Sequence, residues 1–479
     1  MEPALLLDAA RSAQRDWATV PVTERLQFVR HARHALARAP VEFAGTVARA
    51  ERSAADTLAM EVLPLLEAMR FLERRAARAL RTRRADRSDR PLWLRGVTAT
   101  IEPAPLGVVL VIAPGNYPLF IAGVQAVQAL VAGNAVIVKP APGERACLAA
   151  LRGAFLLAGL PDALFQLTDD SVETASKLVA AGPDKILLTG SSATGRNVLR
   201  AAAETLTPTV MELSGNDVSI VLNGANPVRT AATISFAFAL NASHTCIAPR
   251  RLFVERGVAD AFIPALEERL AELAPMPVDA RTRARLMPLL SAAASGGATW
   301  SVNFDTRAET SPPLLIKNAP DDAALHATDL FAPVLSLRVV DAWPEATHLA
   351  NLQPHALGAS VFGPRGEAAK VAAALDVGVV TINDAVVATA DPRVPFGGKR
   401  QSGFGVTRGI EGLLELTYPK VTLDNRASFR PQLKRNSKRD EEKILASLVR
   451  LLHAGEHRRR SLRALLSAVV RKKKVVEPD

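Results

Sequence analysis

The chain has 479 residues, of which 48% are hydrophobic and 22% charged, with two cysteines and a formal net charge of +11. That mix suits a folded globular protein of about three domains and excludes collagen, coiled coil and large-scale disorder. Two cysteines are too few for a disulfide framework or a thiolate metal cluster, which points to a reducing compartment, the cytoplasm. The charge is unevenly placed. Residues 426–479 hold 16 Lys+Arg and 6 Asp+Glu, a net of +10, which leaves a body of +1.

Residues 1–90 predict helices with Arg-rich solvent faces, for example Thr23–Arg38 and Ala54–Arg81. Glu2 and Asp8 flank the short run Leu5–Leu7 with no basic segment before it, unlike a signal peptide. From Pro103 to Val138 there is no Asp, Glu, Lys or Arg, a length that could cross a bilayer. Pro114, Gly115, Asn116 and Pro118 interrupt it after a strand-like piece, Gly107–Ala113, and a helix-like piece and a second strand, Ala135–Val138, follow. That order predicts a parallel sheet buried on both faces rather than a span. Further strands are expected at Leu164–Leu167 and Ile186–Thr189, with amphipathic helices such as Cys147–Leu157 and Val172–Ala181 between them. The alternation predicts a doubly wound α/β domain, and a second α/β region runs from about 214 to 395. In the tail, 440–452 and 458–470 read as two short basic amphipathic helices separated by Ala454-Gly455.

Four groups of residues carry a resemblance. The first is Pro105-Leu106-Gly107-Val108-Val109, Ala113-Pro114-Gly115-Asn116-Tyr117-Pro118 and Ala132 to Pro140. The second is Leu188-Thr189-Gly190-Ser191 with Gly195-Arg196. The third is Met211-Glu212-Leu213-Ser214-Gly215, with Cys246-Ile247-Ala248-Pro249-Arg250 further on. The fourth is Asp329 to Val334 with Pro395-Phe396-Gly397-Gly398-Lys399 and Ser402-Gly403-Phe404-Gly405. As an ordered set these resemble the aldehyde dehydrogenase superfamily over residues 10–424.

The resemblance implies a Rossmann-like cofactor domain (1–92 and 105–213), an α/β catalytic domain (214–412), a small β oligomerisation arm (93–104 and 413–425) and a basic helical C-terminal extension (426–479). It implies a homodimer or higher homo-oligomer, oxidising a small-molecule aldehyde to a carboxylic acid with NAD or NADP. Cys246 would be the nucleophile, as thiolate adds readily to an aldehyde carbon, while Cys147 sits on an apolar helix face. Glu212 would be the base that activates water for thioester hydrolysis. Asn116 would donate to the oxyanion together with the Cys246 N–H. Lys139, Gly190, Ser191, Asp329 and Phe331 would hold the dinucleotide. Many NAD-preferring relatives carry a Glu three residues after that Lys. Here Pro142 stands there with Arg145 beyond, so the reading leans to NADP tolerance with NAD an equal alternative.

Departures from the family pattern are Gly115 for a Trp, Ser214 and Asn216 for a Gly and a Lys, Asp329 for a Glu, and Thr407 for a second acid. No spacing suits a metal. Rival readings are an acyl-CoA- or acyl-phosphate-linked reductase, in which Glu212 would be idle, and a noncatalytic scaffold docking through the basic tail. Residues 434–474 suit an anionic membrane surface, with peripheral association, or packing on the body. No aromatic residue follows Phe429, which argues against nucleic acid.

Overall fold

The computed structural model describes residues 2–454 except 50, 89, 92, 93, 95, 301–307, 321–322 and 428–437. The chain forms two compact units, Met1–Arg83 with Glu102–Lys420, and Arg84–Ile101 with Val421–Asp479.

The first unit holds two six-stranded sheets. In the first, β1 (Val108–Ile112), β2 (Ala135–Lys139), β3 (Phe165–Leu167), β4 (Lys185–Thr189) and β5 (Thr209–Glu212) are parallel, in the order β3-β2-β1-β4-β5. All residues of β1, β2 and β4 are buried, which is why these strands read as continuous apolar runs rather than alternating ones. The order reverses direction between β1 and β4, and ligands of such sheets bind at the strand ends beside that reversal. The second sheet contains β6 (Asp217–Val221), β7 (Pro249–Glu255), β8 (Leu314–Lys317), β9 (Val334–Val340), β10 (Gly358–Phe362) and β11 (Val379–Ile382), all parallel, in the order β8-β9-β7-β6-β10-β11. A short strand, β12 (Gly403–Phe404), returns to the first sheet and pairs antiparallel with β5, Gly403 opposite Glu212.

The uncharged stretch from 103 to 138 folds as expected, as β1, a loop, a helix (Phe120–Ala132) and β2. No helix among the described residues is long and apolar enough to cross a membrane. Gly133 ends that helix at φ 95°, the left-handed conformation glycine adopts freely. Asn134 then turns inward, fully buried, its Oδ1 accepting from the Leu106 and Gly107 N–H groups and its Nδ2 donating to the Leu416 carbonyl. The Gly-Asn pair therefore stitches β1, β2 and residue 416 together.

The expected helix Ala54–Arg81 is interrupted. Ala54–Thr57 and Leu63–Ala79 are α-helical, but Leu58–Val62 between them is a π turn. The single wide turn points Glu61 inward, and such turns gather at functional sites. In the second unit, one tail helix runs Lys438–His453, close to the expected 440–452. The second expected tail helix lies outside the described residues. Strands Arg83–Arg84, Val97–Pro105 and Thr417–Asn425 form a three-stranded sheet.

Candidate active site

Asn116 lies in the loop after β1. One of its amide N–H groups donates to the His244 carbonyl at 3.0 Å, and its Oδ1 accepts from the Tyr117 N–H at 3.1 Å. An amide has two N–H groups, so one remains outside these hydrogen bonds. Glu212 ends β5 and is buried. Its carboxylate accepts from the Thr407 hydroxyl at 3.3 Å, and its backbone carbonyl from the Gly190 N–H at 3.0 Å. Burial pushes the Glu212 carboxyl above its ordinary range, against the opposing pull of Arg408 and the Thr407 hydrogen bond.

Cys246 follows an unusual loop. Asn241, Ala242 and Ser243 all have positive φ (56°, 51° and 65°), a run that non-glycine residues rarely adopt. Arg250 holds it there. Its guanidinium donates to the Ser243 hydroxyl and the Ala332 carbonyl, each at 2.6 Å, and to the Ser243 carbonyl. The strain is thus held by a buried cation anchored across to the segment after Phe331. Burial and the carboxylates of Glu212 and Asp217 raise the Cys246 thiol well above its ordinary value. Cys147 is buried in the core, its thiol pushed up to about 12 by burial and its sulfur donating to the Glu144 carbonyl.

Cys246 and Glu212 share a cavity of about 380 Å³. Met60, Phe120, Phe236, Leu240, Val386 and Phe396 give it a mainly apolar wall, and Thr407 and Arg408 complete the polar side. Two residues that are 34 positions apart in sequence thus line one mainly apolar chamber.

The dinucleotide-side residues lie elsewhere. Lys139 ends β2, 5% exposed, its ammonium lowered by burial while facing Asp170 and Asp169. Gly190 and Ser191 follow β4. Ser191 caps the helix Ser192–Ala203, its hydroxyl accepting from the Thr194 N–H at 3.1 Å. A buried ammonium and a helix N-terminus at the ends of β2 and β4, the parallel strands on either side of β1, form a donor set that fits a dinucleotide's ribose and phosphates. Arg145 opens the helix Arg145–Leu157, and its Nε donates to the Thr168 carbonyl at 3.1 Å. Asp329 is raised by burial against the pull of Arg250, and it accepts from the Phe331 N–H at 3.2 Å. The Phe331 ring lies 6.3 Å from that of His244, two residues before the nucleophile.

Sequence reasoning missed three residues. Arg250 was quoted within a motif without a role. Arg408 follows Thr407 and belongs to none of the motifs. Arg52 donates to Glu61 at 2.6 Å, to the Asn241 side chain at 2.7 Å and to the Asn116 carbonyl. A charged residue beside a family-pattern position was the available signal for the first two. None existed for Arg52, one of many arginines in the N-terminal 90 residues.

Comparison with known proteins gives one answer. The description of the aldehyde dehydrogenase family matches residues 4–422. The chain is 32% identical over 443 residues to 4,4'-diapolycopene aldehyde oxidase of Methylomonas sp, covering 89% of this chain and 83% of that protein. It is 30% identical over 437 residues to a putative NADP(+) succinate-semialdehyde dehydrogenase of Mycolicibacterium smegmatis, covering 87% and 83%. Among solved structures, NADP-dependent glyceraldehyde-3-phosphate dehydrogenase from Bacillus halodurans, complexed with NADP, superposes with a TM-score of 0.80 at 28% identity, covering 88% of this chain and 90% of that one. An aldehyde dehydrogenase of Mycobacterium tuberculosis, complexed with NAD+, does so with a TM-score of 0.80 at 25% identity and the same coverage. With the family matched over residues 4–422 and a 32% identical relative covered over 83% of its length, the chain belongs to the aldehyde dehydrogenase family.

Proposed function

We propose that this NAD(P)-dependent aldehyde dehydrogenase acts on apolar aldehydes, with Cys246, Glu212 and Asn116 as its reacting groups. The observation that carries the reading is the cavity, whose mainly hydrocarbon wall includes both Cys246 and Glu212. Diapolycopene aldehyde, named in one relative, is of the apolar class.

The Cys246 thiol gives up its proton to water, its sulfur adds to the aldehyde carbon, and the oxygen that gains the electron pair accepts hydrogen bonds from the free Asn116 N–H and the Cys246 N–H. A nicotinamide dinucleotide held by Lys139, Gly190, Ser191 and Asp329 would supply the hydride acceptor that brings this carbon to the thioester level on Cys246. Water then adds to the thioester carbon while Glu212 takes its proton. The C–S bond breaks, the carboxylic acid departs and the sulfur leaves as thiolate. Family members oxidise aldehydes, and a carboxylate beside the sulfur favours free acid over transfer to coenzyme A or phosphate. Asp169 and Asp170 beside Lys139 oppose a second phosphate on the ribose and weigh toward NAD, against the lean drawn from Pro142 and Arg145.

Glu212→Gln tests the scheme. With a long-chain aldehyde and NAD it should give a burst of about one NADH per Cys246 and then stall, with turnover down about a hundredfold or more. NADP at equal concentration should give the smaller burst. Unchanged steady-state turnover removes Glu212 from the mechanism.

The tail supports a second reading, association with an anionic surface. On the helix Lys438–His453, Leu445 and Val449 are exposed apolar residues, and Lys443 and Arg450 are exposed beside them. The neighbouring basic residues 434–435 and 471–474 strengthen the charge.

A further inference from the structure

We infer that Arg408 is a positioning residue for the reaction, supplying the positive charge that keeps the Glu212 carboxylate ionised inside an apolar cavity. The proposal rests on Glu212 acting on the thioester, as set out above.

The geometry is a built one. The Arg408 guanidinium lies 4.4 Å from the Phe396 ring centroid and 5.6 Å from that of Phe120, and it donates to the Thr389 carbonyl at 2.5 Å. Its backbone N–H donates to the Gln128 side chain at 3.3 Å. Aromatic faces hold a cation without neutralising it, so the charge stays available to the cavity. Arg408 lines the same cavity as Cys246 and Glu212. Its φ of 62° is an unfavourable backbone conformation for a side-chain-bearing residue, accepted where the surroundings enforce it.

Glu212 needs such a partner. It is buried, and burial alone favours the protonated acid, which cannot take a proton from water. Its neighbours on the sheet are Thr189 on β4 and Gly403 on β12, neither charged. Its hydrogen bond comes from the neutral Thr407. The cation that acts on it is Arg408. Cys246 is faced by Glu212, Asp217 and Asp329, whose charges oppose thiolate, and by Arg408, which favours it. Where many relatives place a second acid, this chain has Thr407 followed by a cation. The pair Glu212–Arg408 therefore does in one step what a chain of two acids would do by relay: it keeps a base ready beside the thioester.

The test is the pH dependence of thioester hydrolysis, read from the decay that follows the NADH burst, in wild type, Arg408→Gln and Arg408→Lys. Glu212 must be ionised to act, so removing the cation moves the acidic limb to higher pH. The expected shift in Arg408→Gln is about one unit or more, with hydrolysis below the limb slowed about tenfold. Arg408→Lys keeps the charge and should keep the limb near the wild-type position. Rates normalised to burst amplitude count active sites only, so partial misfolding does not mimic the shift. An unmoved limb in Arg408→Gln overturns the proposal. So does an unmoved limb with a raised KM confined to carboxylate-bearing aldehydes, which would make Arg408 a substrate anchor. The separate Glu212→Gln burst shows whether the underlying mechanism stands, so the two failures are distinguishable.

Discussion

Arg52→Met should destabilise the enzyme in a way that depends on pH. Arg52 and Glu61 are a fully enclosed pair, with side-chain exposures of 1% and 0% and a separation of 2.6 Å. Glu61 also accepts from the Leu119 and Phe120 N–H groups at 3.2 and 2.7 Å, where the helix Phe120–Ala132 begins. Removing the arginine leaves the carboxylate with those two donors and no counter-charge, a loss of about 3–5 kcal/mol. The variant has an escape, because Glu61 can take up a proton. From its ordinary value of 4.5, protonation costs about 1.4 kcal/mol per pH unit, hence about 4 kcal/mol near pH 7.5 and about 1.4 kcal/mol near pH 5.5. The sign follows from burial, which raises Glu61 and which Arg52 opposes in the wild type. In the variant the folded state binds the proton more tightly than the unfolded chain does, so stability is lost as pH rises above the ordinary value. The lost hydrogen bond to the Asn116 carbonyl adds about 1 kcal/mol at either pH. Urea unfolding followed by tryptophan fluorescence should therefore show a deficit of about 4–5 kcal/mol near pH 7.5, shrinking by about half near pH 5.5. Turnover should fall about tenfold, because the Asn116 carbonyl keeps only the Asn241 donor, at 3.0 Å. A deficit below about 1 kcal/mol near pH 7.5, or one that does not change with pH, would refute the account.

Gly403→Ala should both unfold more easily and hydrolyse its thioester poorly. Gly403 has φ 104°, and an added Cβ would come within 1.8 Å of the Met211 carbonyl oxygen, forcing β12 off the strand that carries Glu212. A loss of about 2 kcal/mol or more is expected in thermal unfolding, and a wild-type melting temperature with wild-type turnover would contradict it. A chain ending at residue 425 should keep its aldehyde activity and lose binding to vesicles containing phosphatidylserine. Equal binding by both chains in a flotation assay would remove the tail from that role.

Local chemistry explains what could be read from the sequence. Gly190-Ser191 announces a helix start. Strands β1, β2 and β4 are unbroken apolar runs because both faces are covered. The motif residues Cys246 and Glu212 were nameable because their local surroundings resemble the family's. Their meeting in one cavity depends on the pairing of β5 with β4 and on the loop that Arg250 braces, which no local pattern encodes. The π turn was not legible because one extra residue in a turn barely disturbs helical periodicity. Arg52 and Glu61, nine positions apart, look like any pair on a surface rich in arginine, and only the turn that directs Glu61 inward makes them partners. Arg408 was missed for the converse reason. A loop arginine is ordinarily solvated, and its confinement between Phe120 and Phe396 depends on three segments distant in sequence.

The contrast between Arg408 and the tail shows which charge matters to the chemistry. Residues 426–479 carry a net +10. At physiological ionic strength the field of an exposed charge is largely screened beyond about 8 Å, so a solvated tail acts on surfaces it touches. Inside the cavity the wall is mainly apolar, so a charge there is screened less. A single guanidinium there can shift a neighbouring carboxyl by about one to three pH units, more than the sum of many distant lysines. The body is close to neutral as a whole, yet its reacting groups sit in a field set by a few buried charges: Arg408 and Arg250 against Glu212, Asp217 and Asp329. Net charge therefore bears on where the enzyme is held, while the pH at which it turns over is set by which of those few is ionised. Replacing Arg408 should move the second without touching the first, and removing the tail should do the reverse.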